Sequence, residues 1–298
     1  MDTITLGNVE ITRVVELTAR GLPRDFVFPD VALDHWQRHE NWLAPEFLDP
    51  AADEVRTMIQ TWLIRSEGRT ILIDTGIGNG RERPYMPFFA HLDTNYLDEL
   101  AAAGVRPEDV DVVINTHVHG DHVGWNTVLA DREWRPTFPN AEYLIARADF
   151  EYWNPENEIR TRSGRQSQNV FEDSVAPVHR AGQTVLWEGD HYDVDANLRI
   201  VPAPGHTPGS AVVRLRSGTE HAVFAGDLLH SPLQIAEPDC GPSFDEDEAQ
   251  ARVARRRLLE WTADHNALLF PAHFPGAGAA EVRRDGGKFA VKEWLAWR

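Results

Sequence analysis

The chain has 298 residues, 42% of them hydrophobic, enough to bury a substantial core in one large layered domain or two ordinary ones. Its 47 acidic against 29 basic side chains leave a net charge of −18, which repels nucleic-acid phosphates and anionic membranes and disfavours both as partners. A single cysteine, Cys240, cannot close an internal disulfide, so nothing marks an oxidising compartment.

The opening stretch, MDTITLGNVEITRVVEL, has no basic segment followed by an unbroken apolar run, and no stretch reaches the ~18 apolar residues of a membrane span. A cytoplasmic protein is expected. Alternating or short apolar runs bounded by turn residues predict strands at 9–17, 58–65, 70–74, 112–115, 143–146, 198–202, 211–215, 222–225 and 267–271. Residues 20–50 and 79–91 are aromatic-rich and broken by proline, with no clear period. Segments of that kind inside a compact domain are usually functional, and their aromatics argue against disorder. Phe26, Phe28, Trp36, Trp42, Tyr85, Phe88 and Phe89 are therefore expected mostly as core beneath loops, with some lining a pocket mouth. His35 and His39 share one helical face, read as a solvated face rather than a third metal site because no carboxylate completes a ligand pattern with them.

One helix is predicted from Tyr96 to Ala103, stopped by Gly104, and another from about Asp245 to Asp264, with Ser243 and Glu246 at capping-box spacing. The tail predicts a hairpin turning at Asp285, Gly286 and Gly287. No repeat, low-complexity tract or long linker interrupts the chain, so residues 1–298 are read as one domain. Strands and helices mixed through both halves suggest two sheets packed face to face with helices outside.

The stretch INTHVHGDHVGWN places His117, His119, Asp121 and His122 where a strand ends. Imidazoles and carboxylates buried there need partners, and a zinc ion takes about four N, O or S ligands of that kind. His206 in PGHTPGS, Asp227 in AGD and His273 in AHFPG follow, each at the end of an apolar run. Five histidines and two aspartates suffice for two ions with a shared carboxylate. Cys240 is assigned no role, because buried free cysteines are usually inert.

With these motifs, from ILIDTG at 71–76 through THVHGDHVG to AHFPG, the chain resembles the metallo-β-lactamase-fold hydrolases. It looks most like the branch containing methyl parathion hydrolase, near the acyl-homoserine lactonases. The resemblance implies an αββα sandwich with the site at one edge between the sheets. It implies that His117, His119 and His206 hold one ion, that Asp121, His122 and His273 hold the other, and that Asp227 bridges, with Asp74 organising the loop. The implied enzyme is a dinuclear hydrolase, zinc first among the divalent candidates, using a metal-bridging hydroxide on a small neutral ester-like substrate, with a lactone first. Asp121, Asp227 and His230 are its candidate catalytic residues. His230 stands where the lactonases carry a tyrosine, as a leaving-group acid or as pocket wall. Phosphotriesterase or aryl esterase activity is the alternative within hydrolysis. A mononuclear iron persulfide dioxygenase and a non-enzymatic metal-stabilised binding module are the alternatives outside it. A small-molecule substrate is the expected partner, with room for a homodimer.

Overall fold

The computed structural model describes residues 2–84, 86–162 and 169–297. Two large sheets account for most strands. The first runs in the order Thr3–Leu6, Val9–Pro23, Glu54–Ser66, Arg69–Ile73, Val112–Ile114, Glu142–Ala146, Thr184–Trp187, with Leu48–Asp49 added against Glu54–Ser66. The second runs Tyr192–Asp193, Leu198–Pro202, Ala211–Ser217, Glu220–Gly226, Leu268–Pro271, Ala280–Asp285, Lys288–Trp294.

Period-two alternation sorts the side chains between layers. Trp62, Ile64, Ile71, Ile73, Val112 and Ile114 point inward to meet Val213, Phe224 and Phe270 of the second sheet, and the Trp62 and Phe270 rings stand 5.0 Å apart. Leu63, Leu72, Val113 and Tyr143 point the other way, under Tyr96 and Leu100 of the helix Tyr96–Ala102. On the outer face of the second sheet, Val212, Val223 and Leu269 meet Leu258 and Leu259 of the helix Glu248–Asp264. Each such aliphatic or aromatic side chain contributes roughly 1.5–3 kcal/mol on burial. The result is the αββα sandwich.

The pairing decides where the site lies. Arg69–Ile73, Val112–Ile114 and Glu142–Ala146 are parallel neighbours, and so are Glu220–Gly226 and Leu268–Pro271. Parallel strands end on the same side, so Asp74, Asn115, Asp227 and Ala272 all emerge at one edge of the sandwich. Close packing seals this edge: a Cβ on Gly124 would lie 1.9 Å from the Ile77 carbonyl oxygen, so only glycine fits there.

All nine predicted strands are present, with ends shifted by a few residues, and the Val9 strand runs on to Pro23. The hairpin Thr127–Ala130 with Glu133–Pro136 was not predicted. Its turn residues Asp131 and Arg132 both adopt positive φ without a glycine to announce it. Thr184–Trp187 was also missed, being only four residues long. Residues 20–50, expected to be irregular, contain the helix Leu33–Leu43. The predicted capping box on the long helix is replaced. Asp247 accepts from the Gln250 amide at 2.9 Å, while the Ser243 hydroxyl donates to the Phe26 carbonyl at 2.8 Å. The C-terminal strands pair Asp285 with Lys288 across Gly286 and Gly287, giving the predicted hairpin. Among the described residues no helix is long and apolar enough to cross a membrane.

Candidate metal centre

The strand Val112–Ile114 delivers a loop whose side chains turn toward the second sheet. His117 Nε2 lies 3.1 Å from His119 Nδ1, which lies 3.0 Å from His206 Nε2. Asp227 Oδ2 is 3.7 Å from His117 Nε2 and 3.4 Å from His206 Nε2. Its other oxygen, Oδ1, is 3.2 Å from His122 Nε2 and 2.9 Å from His273 Nε2, and Asp121 Oδ2 lies 3.8 Å and 3.6 Å from the same two nitrogens. The structure thus brings together all seven ligand candidates around the Asp227 carboxylate, in three overlapping groups of side chains close enough to share an ion: His117, His119, His206 and Asp227; Asp121, His122 and His273; and Asp227, His230 and His273.

The far side of each ring explains the orientation. The Thr116 hydroxyl donates to Asp74 at 2.8 Å, so it can only accept from His117 Nδ1, 3.1 Å away. His122 Nδ1 faces Asp74 Oδ2 at 2.8 Å, His206 Nδ1 faces Asp245 Oδ1 at 3.0 Å, and His273 Nδ1 faces the Met58 carbonyl at 2.9 Å. Each outer nitrogen carries a proton, which turns the four Nε2 atoms inward. That arrangement fixes the tautomer of metal-binding histidines. Asp74 follows its strand at φ 56°, and it also accepts from the Thr116 amide at 2.8 Å, fastening the start of the ligand loop.

Burial drives His117 and His119 well below the ordinary imidazole range, and neighbouring imidazoles add to the shift. Burial also opposes charge on His206, but Asp227 and Asp245 outweigh it and push the ring up to about 9. Desolvation works against ionising Asp227 too, yet the imidazoles of His122, His273, His230 and His117 hold its carboxyl well below the usual range. Buried His122 Nε2 and Asp227 Oδ1 have no hydrogen-bond partner of good geometry. Orphaned buried atoms of this kind are costly unless something binds them. Asp227 likewise outweighs burial at His122 and His273 and raises both rings. Imidazoles and carboxylates around that point suit a divalent cation, which would take the place of those protons.

His230 sits against this cluster, its Nε2 3.1 Å from Asp227 Oδ2 and its ring 5.6 Å from that of Phe244. Gln234 Oε1 accepts from the amides of His230 and Ser231 at 2.6 and 3.1 Å and fixes the turn that carries it. A cavity of about 330 Å³ opens onto His119, Asp121, His206, Asp227, His230 and His273. Its remaining walls are mainly apolar, with Ile59, Met86 and Phe89 packed together in one cluster, Leu22, Val55 and Phe244 in another, and Trp153 beside the ligand loop.

Of the aromatics singled out by sequence, Phe89 alone among the described ones lines this cavity. Phe28 and Trp36 are core, their rings 5.3 Å apart, and Phe26 and Phe88 pack edge to face. Trp42 packs on the same core and donates to His39 at 3.1 Å. Tyr85 lies outside the described residues. His35 and His39 are not simply solvated: Glu237 lies 3.5 Å from His35 and 3.4 Å from His39, a partner almost 200 positions away. Cys240 is buried, and burial pushes its thiol up to about 11.

Sequence reasoning missed three buried carboxylates that build the site from behind. Asp149 accepts from the Val118 amide at 2.8 Å, the Gly209 amide at 2.6 Å and the Thr207 hydroxyl at 2.9 Å, joining the His117 loop to the His206 loop. Glu16 accepts from the amides of Ile77 and Gly78 and from Trp125 Nε1. Asp245 stands behind His206.

The model of the metallo-beta-lactamase superfamily matches residues 55–273. An N-acyl homoserine lactonase from Rhizobium radiobacter is 27% identical over 63% of this chain and 66% of its own length. A solved structure described as a hydrolase of the beta lactamase superfamily superposes with a TM-score of 0.81 at 23% identity, covering 97% of this chain and 96% of its own. A second, described as a dizinc quorum-quenching lactonase in complex with a product, superposes with a TM-score of 0.78 at 22% identity, covering 99% and 98%.

Proposed function

The chain belongs to the metallo-beta-lactamase superfamily, and on that premise we propose that it is a dinuclear metal-dependent hydrolase acting on a small neutral ester-like substrate, a lactone first. One observation carries the reading: five histidines and two aspartates from both sheets converge around the buried Asp227 carboxylate, close enough to share ions. The named activity of the lactonase relatives supports the choice of ester bond.

In this reading His117, His119 and His206 hold one divalent ion, Asp121, His122 and His273 the other, and Asp227 bridges, with zinc the first candidate. When bound, the ions supply an activated water and polarise the substrate carbonyl. The chain orients everything else. Thr116, Asp74, Asp245 and the Met58 carbonyl hold the four imidazoles with their Nε2 atoms inward. The apolar walls built by Leu22, Ile59, Met86, Phe89 and Phe244 exclude water and receive an acyl chain or an aromatic ring. His230 lines the same cavity beside Asp227 and is positioned to hydrogen-bond the departing alkoxide oxygen.

The test is metal analysis followed by turnover of lactones, aryl esters and phosphotriesters on the same preparation. About two ions per chain with fastest turnover of lactones is the expected result. Faster turnover of phosphotriesters or aryl esters would shift the substrate class and leave the metal centre standing. Binding without turnover would favour a metal-stabilised binding module, and one iron per chain with persulfide turnover would overturn the hydrolase. For His230, His230→Phe should slow lactones and alkyl esters far more than nitrophenyl esters, whose leaving group needs little help. Equal losses on both at matched metal content would leave His230 as wall.

A further inference from the structure

Arg255 lies on the helix Glu248–Asp264, and its side chain is fully buried. Its Nε donates to the Leu228 carbonyl at 2.6 Å, its Nη1 to the carbonyls of Pro238 and Cys240 at 3.0 Å each, and its Nη2 to Asp245 Oδ2 at 3.3 Å. Asp245, equally buried, spends its other oxygen on His206 Nδ1 at 3.0 Å. Leu228 is the residue after Asp227. One guanidinium therefore grips the turn that presents the bridging carboxylate and, through Asp245, the ring of His206. A guanidinium with no such partners would not be buried, given the cost of desolvating it.

The backbone adds to the same clamp. The Glu246 and Asp247 amides donate to the His206 and Gly205 carbonyls at 3.0 and 2.8 Å. Gly205, at φ 136°, packs so closely on the helix that a Cβ would lie 2.1 Å from the Ala251 nitrogen. The other cluster is held from the first sheet: the outer nitrogens of His122 and His273 face the buried Asp74 carboxylate and the Met58 carbonyl, neither of them on this helix.

Resting on the two-ion reading above, we propose that Arg255 and Asp245 are a positioning pair that sets how tightly one of the two ions, the one at His117, His119 and His206, is held. Neither residue touches that ion. Asp245 fixes the tautomer and angle of one of its ligands, and Arg255 fixes the distance from that ligand to Asp227. The pair makes the centre asymmetric, because it supports one ion position and leaves the other to the first sheet.

The experiment follows release of zinc to an excess of chelator from protein loaded with two ions per chain, for wild type, Asp245→Asn and Arg255→Met. Thermal unfolding of each metal-free protein is recorded alongside. Asp245→Asn should release one ion about 10- to 100-fold faster and the other at the wild-type rate, at a metal-free melting temperature near that of wild type. Arg255→Met should also release that ion faster, at a lowered metal-free melting temperature because it strands the buried Leu228, Pro238 and Cys240 carbonyls and the Asp245 carboxylate, and Arg255→Lys should fall between it and wild type. Should the Arg255 variants fail to fold, Asp245→Asn decides. Both ions leaving at wild-type rates, or both accelerated equally, would overturn the pairing. A wild type that binds no zinc would instead remove the metal reading itself.

Discussion

His117, His119, Asp121 and His122 leave one three-residue strand within six positions, whereas His206, Asp227 and His273 arrive singly near the ends of three other strands. The two halves of the centre are accordingly held by different means. Residues 117–122 have no ladder of their own, and their shape comes from buried carboxylates: Asp74 on Thr116 and His122, Asp149 on the Val118 amide. In the other half, strand register sets where Asp227 and His273 emerge, and side chains have only to orient the rings. A compact ligand cluster is easy to recognise and expensive to support. A dispersed one is harder to recognise, and the sheet supports most of it.

The sharpest break of this comparison is at the seam. Asp227→Asn removes the charge that both ion positions share, and kcat should fall by more than about 100-fold with loss of an ion, beyond the effect of altering a residue behind the ligands. Full activity in a fully metallated variant would show that the two ion positions do not meet at Asp227.

A smaller effect is expected at Asp149, the tie from the His117 loop to the His206 loop. Asp149→Ala leaves the buried Val118 and Gly209 amides without their acceptor, at about 1–3 kcal/mol each. Denaturant unfolding of the metal-free protein should therefore show a loss of about 2–6 kcal/mol. No loss would mean that each loop is held without the other.

The mildest test concerns the walls. Phe89→Ala opens the wall shared with Ile59 and Met86, and should raise KM for a long-chain lactone about 10-fold, the scale set by burying part of an acyl chain against one aromatic ring. Phe244→Ala, on the His230 side, should change it less, and Trp36→Ala should lower stability while leaving KM alone. Equal rises for Phe89→Ala and Phe244→Ala would place the substrate between the two walls instead of against one.

These differences also explain what the sequence could reveal. The strands were legible because period-two alternation is local, and the ligand loop was legible because four metal-binding side chains crowd six positions. Asp149, Glu16 and the Asp245–Arg255 pair were not. Each looks like an ordinary charge in its own segment, and only a partner brought in by the fold shows that it is buried and satisfied. Glu237, which joins His35 and His39, escaped notice for the same reason. That most of the loop aromatics would be core and some would line the cavity was legible, but not which, because aromatic content does not say which face of a loop turns inward: Trp36 went to the core and Phe89 to the cavity.

The single buried thiol has a practical side. Burial pushes the Cys240 thiol up to about 11, which disfavours the thiolate that a thiol reagent attacks. The C-terminal hairpin turns through Gly287, where an added Cβ would meet open space, on strands that do not line the cavity. Gly287→Cys therefore gives a protein that takes one fluorophore, spin label or surface tether at one known point, with its chemistry facing away from the attachment.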